Sequence, residues 1–303
     1  MNQESEREIT AKINTAELVQ AWQERAEKAR GVRVVTSLGA RTDLGRIREN
    51  NEDKFEFYTP EDEDTLALKG SFYAVADGMG GHSAGQIASE LALKTAIRAY
   101  YADSSPIVED SLRQAVQQAN ALIYDAARSI AERSGMGTTM TALVIRGEEA
   151  FIAQVGDSRC YLLRNGDLRQ LTEDHSWVNE QVKRGGMTVE EAEASPFRNV
   201  ITRSLGNTPN VDVDVFSEEI QTGDVFLLCS DGLTGEVSDD EIRCVLTASP
   251  PSEAAWELVD LALENGGRDN VTVLIVAVRE IARVAGDRRE KRKGLARLLH
   301  RRA

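Results

Sequence analysis

Cysteine is scarce in this chain, with three among 303 residues. Cys160, Cys229 and Cys244 are odd in number and have no close pairing pattern. That argues against a disulfide framework, and their spacing argues against a zinc cage. Each falls in or beside an apolar stretch, so all three are expected to be reduced core residues of a cytoplasmic protein. Long apolar runs are also missing, so no bilayer-spanning helix is expected. The opening Met-Asn-Gln-Glu-Ser-Glu is polar and acidic and does not read as a secretory signal. No internal repeat occurs. Positive charge is sparse except at one end. The net charge is −14, yet residues 283–303 carry nine Arg or Lys against two acids, a surplus of seven. The remainder therefore carries −21. Such a body disfavours nucleic acid as the main ligand, and it repels phosphate unless metals or arginine supply local positive charge.

What is present reads as one ordinary globular body with an extension at each end. Residues 1–31 are rich in Ala, Glu, Gln, Lys and Arg, with Leu18, Trp22 and Ala26 spaced by four. This predicts a mostly exposed helix with a narrow apolar edge. The body is expected over 32–281. Strand-like runs lie at 32–38, 54–58, 71–76, 138–145, 150–155, 159–164, 211–216, 225–229 and 271–278. Arg146-Gly147 and Asn165-Gly166-Asp167 look like hairpin turns. Leu112, Val116, Ala119, Ile123 and Ala126 recur at helical spacing, as do Ala88, Leu91, Ala92, Ala96 and Ala99. Ser238 with Glu241 is a capping-box pattern opening a third helix, and a fourth follows Pro250-Pro251. Strands and helices come in blocks, which favours an α+β layering of antiparallel sheets over a doubly wound parallel sheet. A polar segment at 174–206 has two short helical patterns, one opened by Thr188 with Glu191, and is expected to form a flap. The basic tail, 282–303, sets Leu295, Leu298 and Leu299 among Arg and Lys. It is expected to be a solvating tail, with contact to an anionic surface as the alternative.

Carboxylates beside tight glycines are the chemical signal. Glu52-Asp53 lies in Arg-Glu-Asn-Asn-Glu-Asp, Asp77-Gly78 in Ala-Asp-Gly-Met-Gly-Gly-His, and Asp157 in Val-Gly-Asp-Ser-Arg. Asp231-Gly232 lies in Cys-Ser-Asp-Gly-Leu, and Asp269-Asn270 in Gly-Arg-Asp-Asn-Val-Thr. An acid at the mouth of a strand is poorly placed for packing and well placed to bind a hard cation. If the clusters converge, they make an all-oxygen pocket for Mg²⁺ or Mn²⁺. Any single Asp-Gly is more often an ordinary turn.

Together with Gly-Met-Gly-Thr-Thr at 135–139, these segments occur in an order that resembles the PPM-type (type 2C) metal-dependent Ser/Thr protein phosphatases, bacterial branch. The resemblance covers about 32–280. It implies two packed antiparallel β-sheets flanked by helices, an α-β-β-α sandwich, and two Mn²⁺ or Mg²⁺ ions bridged by a water. By motif, Asp77 would bridge both ions. Glu52 and the Gly78 carbonyl would join it on one, Asp231 and Asp269 on the other, with Asp53 ordering bound waters. Arg48 takes the phosphate-binding position; the plainer reading is an ion pair with Glu49 or Glu52. Some relatives carry a general-acid His directly after Asp-Gly. Here that position is Met79, and His82, three residues on, is the candidate proton donor or a loop residue. A weaker third ion is implied at Glu132, where Asp is usual, with Asp231 as its other ligand. Asp157, between two strands, is read as a turn residue capping backbone N–H groups, and His175 as a local hydrogen-bonding residue. The implied activity is hydrolysis of phosphoserine and phosphothreonine in proteins modified by a bacterial Ser/Thr kinase, by a monomeric enzyme. A silent regulatory module of the same fold would have lost metal carboxylates, and none of the core ones is missing.

Overall fold

The computed structural model describes residues 31–81, 83–129 and 131–283. The expected N-terminal helix, His82 and the tail beyond Arg283 lie outside these residues. In chain order the body opens with β1 (Val32–Asp43), β2 (Lys54–Tyr58), α1 (Glu63–Lys69), β3 (Ser71–Ala76) and β4 (Gly78–Met79). Two long helices follow, α2 (Ser83–Ala102) and α3 (Val108–Ser129). Next come β5 (Gly137–Thr138), β6 (Met140–Arg146), β7 (Glu149–Val155), β8 (Arg159–Arg164) and β9 (Asp167–Gln170). The segment 174–206 holds α4 (Trp177–Lys183) and α5 (Val189–Glu193). The chain continues through β10 (Asp214–Glu219), β11 (Val225–Cys229), α6 (Asp231–Thr234), α7 (Asp239–Ala248), α8 (Pro251–Glu264) and β12 (Val271–Arg283).

Among the described residues, two five-stranded sheets stack face to face, both antiparallel. One runs β1-β12-β11-β8-β9 and the other β10-β7-β6-β3-β2. The two-residue period of a strand sends alternate side chains to opposite faces. In β3, Tyr73 and Val75 join the layer between the sheets, while Phe72, Ala74 and Ala76 pack under α2 and α3. In β12, Leu274, Val276 and Val278 face the inter-sheet layer, and Val271, Val273 and Ile275 face α7 and α8. Strands buried on both faces read as near-continuous apolar runs, which is how they stand in the sequence. The α+β sandwich expected from the sequence is the observed architecture.

Local signals placed most element ends. Asn165 and Gly166 are both left-handed (φ 54° and 83°), as a two-residue hairpin between β8 and β9 requires. The Ser238 capping box forms. Its hydroxyl accepts the Glu241 N–H, and Glu241 Oε2 accepts the Ser238 N–H at 2.9 Å. Removing it with Ser238→Ala should lower stability by about 1 kcal/mol, read as a shifted urea midpoint with an unchanged slope. The structure differs from expectation elsewhere. β1 and β12 run past 38 and 278 because they pair with each other from Val32–Arg283 to Asp43–Val271. β10 starts at Asp214, three residues late, because Val211 and Val213 are buried in the helix-side core ahead of the β7 ladder. Cys244 is exposed on α7, so the core reading holds only for Cys160 and Cys229.

Register brings the acidic loops to one edge of the sandwich. Lys54, which opens β2, pairs with Ala76, which closes β3. Met140 pairs with Val155 at the same end of that sheet. In the facing sheet Arg159 pairs with Cys229, and Cys229 with Val273 near the start of β12. Residues 48–53, Asp77, Gly156-Asp157, Asp231 and Asp269-Asn270 therefore leave the strands side by side.

Candidate active site

Hydrogen bonds crossing between the two sheets tie these loops together. Asn270 is the central stitch: its Oδ1 accepts the Glu52 N–H at 2.8 Å, and its Nδ2 donates to the carbonyls of Leu44 and Asn50. Asp53, 1% exposed, lies beneath them and accepts from the Ser230 hydroxyl at 2.6 Å. That hydroxyl in turn accepts the Thr272 N–H at 3.0 Å. Asp77 sits where β3 gives way to β4. Its N–H donates to Thr139 Oγ1 at 2.9 Å, and its carbonyl accepts the Thr139 N–H and the Thr138 hydroxyl. Asp231 opens α6 directly after β11. Arg48 reaches in from the exposed loop and donates from Nη2 to Asp269 Oδ2 at 2.6 Å.

The glycines serve close approach here. A methyl group on Gly78 would overlap the Gly85 carbonyl oxygen and stand 2.7 Å from the Glu52 carbonyl oxygen. One on Gly85 would overlap the Glu52 carboxylate, and one on Gly232 the Asn270 carbonyl oxygen. Bare backbone at these positions lets the acidic loops touch.

The electrostatics of the cluster are one-sided. Burial raises the Asp77 carboxyl well above the usual carboxylate range, and Asp53, Asp231, Asp157 and Asp269 push it the same way. Asp231 is raised by burial and by Asp269, against a hydrogen bond from Asp77 that lowers it. Burial lifts Asp53 to about 7 despite the hydroxyls of Ser230 and Thr272. Asp157 is raised well above its ordinary value by burial and by Asp231. Its Oδ1 is the buried side-chain oxygen that lacks a hydrogen-bond partner among the described residues. No group of three or more Asp, Glu, His or Cys among those residues is drawn together as a finished metal cage. The donor chemistry nonetheless fits hard divalent cations: oxygen throughout, desolvated, and strongly negative.

The model of the family described as Protein phosphatase 2C matches residues 40–271. The chain belongs to the protein phosphatase 2C family. It is a protein-serine/threonine phosphatase. The serine/threonine phosphatase stp of Listeria welshimeri is 42% identical over 241 residues, which cover 78% of this chain and 93% of the relative. The crystal structure of the Mycobacterium tuberculosis serine/threonine phosphatase PstP/Ppp superposes with a TM-score of 0.73 at 37% identity, over 82% of this chain and all of that one. The PstP catalytic domain in complex with two manganese ions gives a TM-score of 0.71 at 36% identity, over 82% of this chain and 100% of that chain.

In this phosphatase Glu52, Asp53, Asp77, Asp231 and Asp269 lie on neighbouring loops at one edge. Gly78 pairs with Thr138 across the β4–β5 ladder. Arg48 is on the rim and forms an ion pair with Asp269, with Asp77 and Glu52 adding to its electrostatic field. Glu132 is exposed on the 3₁₀ turn Ala131–Arg133, and no hydrogen bond or ion pair among the described residues joins it to Asp231. His82 lies outside the described residues. Asp157, read from the sequence as a turn cap, accepts a backbone hydrogen bond, and its buried carboxyl also raises Asp77 and is raised by Asp231. Asn270 and Gly85 were not singled out as separate functional residues. Asn270 directly follows a candidate ligand, and a glycine in the first turn of a helix, where it weakens the helix, was the available signal for Gly85. No helix among the described residues is long and apolar enough to cross a membrane.

Proposed function

We propose that the acidic edge holds two Mn²⁺ or Mg²⁺ ions and that the phosphatase works through them on phosphoserine and phosphothreonine proteins. The observation carrying this reading is the gathering of Glu52, Asp53, Asp77, Asp231 and Asp269 by strand register, with Arg48 at their rim. Once bound, the ions would supply positive charge and an activated bridging water for in-line displacement at phosphorus. Asp77 would hold both ions, joined by Glu52 and the Gly78 carbonyl on one and by Asp231 and Asp269 on the other. Asp53, buried under the ring and bonded to Ser230, orients from below. Arg48 is charged at any working pH and is raised further by Asp269, with Asp77 and Glu52 adding to it. Its guanidinium can grip phosphate oxygens that the acids alone would repel. Substrate phosphate then competes with Asp269 for Arg48.

Two measurements test this. Hydrolysis of a phosphothreonine peptide by wild type and Asp231→Asn, with Mn²⁺ titrated, should give metal-dependent turnover only in the wild type; equal rates would overturn the assignment. Arg48→Ala should cost roughly 10- to 100-fold in kcat/KM, the worth of a charge-assisted phosphate contact, with most of the loss in KM. Unchanged KM would remove Arg48 from phosphate binding. A Ser/Thr kinase is the reaction class that must supply such substrates.

A further inference from the structure

One buried side chain outside the acidic ring grips the turn beside it. His175, 7% exposed, stands at the neck of segment 174–206. Its Nδ1 accepts the Gly156 N–H at 3.0 Å, and its own N–H donates to the Gly156 carbonyl at 3.0 Å. One residue thus grips both polar groups of Gly156. Because Nδ1 accepts, a neutral ring carries its proton on Nε2, which then donates to Asp214 Oδ2 at 3.0 Å. Arg203 Nη1 also lies 3.0 Å from Nε2, but a nitrogen that is donating cannot accept; Nη1 donates to Asp214 Oδ1 at 2.8 Å. Burial lowers the affinity of the ring for a second proton, and the Arg203 charge works the same way against Asp214.

The same residue closes the neck. The His175 carbonyl accepts the Thr202 N–H at 2.8 Å, Ser176 bridges Ile201, and the Trp177 N–H donates to the Val200 carbonyl. On its other side, Gly156 is followed by Asp157, whose buried carboxyl raises Asp77 and is itself raised by Asp231. Gly156 also packs on Thr139, where an added Cβ would stand 2.6 Å from Thr139 Cβ, and Thr139 Oγ1 accepts the Asp77 N–H at 2.9 Å, so a chain of contacts runs from the neck through His175 and Gly156 to the backbone of Asp77.

We propose that His175 is a positioning residue for the phosphatase reaction: its imidazole holds the Gly156–Asp157 turn against the acidic ring and ties that turn to the neck of segment 174–206. The proposal rests on the reading that the ring holds the catalytic ions. His175→Leu fills much of the ring's volume but accepts no hydrogen bond, leaving the Gly156 N–H buried and unpaired. His175→Asn places a carbonyl oxygen where Nδ1 was. Asp214→Ala, on the edge strand β10, leaves the imidazole in place and removes the group that orients it.

Turnover of a phosphothreonine peptide, Mn²⁺ binding by calorimetry and Tm in chelator are measured for wild type and all three variants. His175→Leu is expected to lower kcat about tenfold or more and to weaken Mn²⁺ binding, with KM for the peptide shifting less than about threefold. His175→Asn is expected to recover most of both losses. Asp214→Ala is expected to show a smaller loss of the same kind, and it carries the test if His175→Leu does not fold. Equal losses in His175→Leu and His175→Asn, or wild-type kcat and Mn²⁺ affinity in folded His175→Leu and Asp214→Ala, would overturn the positioning role. A wild type that binds no Mn²⁺ would instead overturn the reading of the ring, and this proposal with it.

Discussion

Asp77→Asn should cut turnover by about a thousandfold and at the same time make the metal-free protein more stable. The two effects share one cause. Asp77 is buried among like charges, so folding the chain without a cation forces its carboxyl either to ionise against Asp53, Asp231, Asp157 and Asp269 or to take up a proton. Its folded-state affinity for a proton therefore exceeds that of the unfolded chain. A group raised in this way gives the folded state more bound protons, so stability falls as pH rises from about 4, the unfolded value, through the folded one. Asparagine has the same shape and no charge, and it removes that slope. In chelator at neutral pH the variant should gain roughly 1–3 kcal/mol. That is a Tm several degrees higher in a domain of this size. Added Mn²⁺ should then stabilise the wild type more than the variant, because only the wild type keeps the carboxylate proposed to hold the ions. On the proposed two-ion reading, the expected rate loss is on the order of a thousandfold, since the ions Asp77 would hold supply both charge neutralisation and the nucleophile. Thermal scans with and without metal, beside a peptide assay, check all three. A variant that is inactive and also less stable in chelator would mean that Asp77 serves packing more than ion binding.

That trade explains which parts of the molecule were legible in its sequence. Strands β2, β3, β8 and β11 stand in the sequence with the bounds they have in the fold, because runs framed by turns leave little choice. The site was legible for a different reason: acids at strand mouths violate packing logic, and such violations mark function. What stayed hidden depends on long-range pairing. β9 is a four-residue polar strand that exists only because Asn165 and Gly166 fold it back on β8. α1 is short, polar outside, and held by Asp62 at its start, a signal too common to stand out. Asp157 looked like any turn acid, since nothing local reveals that the turn after β7 lies within electrostatic reach of Asp77 and Asp231. Arg48 pairs with Asp269, 221 positions away, a partner that its neighbours in the chain could not reveal.

Gly232→Ala should destabilise the phosphatase and cripple its metal site through a single methyl group. Gly232 follows Asp231 in the first turn of α6, and no left-handed backbone demands glycine there. The demand comes from across the sheet: the added carbon would overlap the Asn270 carbonyl oxygen and stand 3.5 Å from Asp269 Cβ. Backbone, unlike the end of a flexible side chain, cannot swing aside. Either α6 or the Asp269–Asn270 turn has to move, and Asn270 also holds Glu52 through its side chain. One displacement therefore disturbs Asp231, Asp269 and Glu52 together. Overpacking of this kind costs about 1–3 kcal/mol, and misplacement of the ligands by about 1 Å can cost about a hundredfold in rate. The control is Gly186→Ala, on the segment 174–206. Its neighbours there are Gln181 atoms at 3.4 and 3.6 Å, ordinary contact distances, and its φ is not left-handed. That variant should keep wild-type turnover and gain up to about 1 kcal/mol from a stiffer unfolded chain. If Gly232→Ala matched Gly186→Ala in Tm and in Mn²⁺-dependent turnover, the two acidic loops would not be in contact as described, and the clustering on which the metal site depends would be wrong.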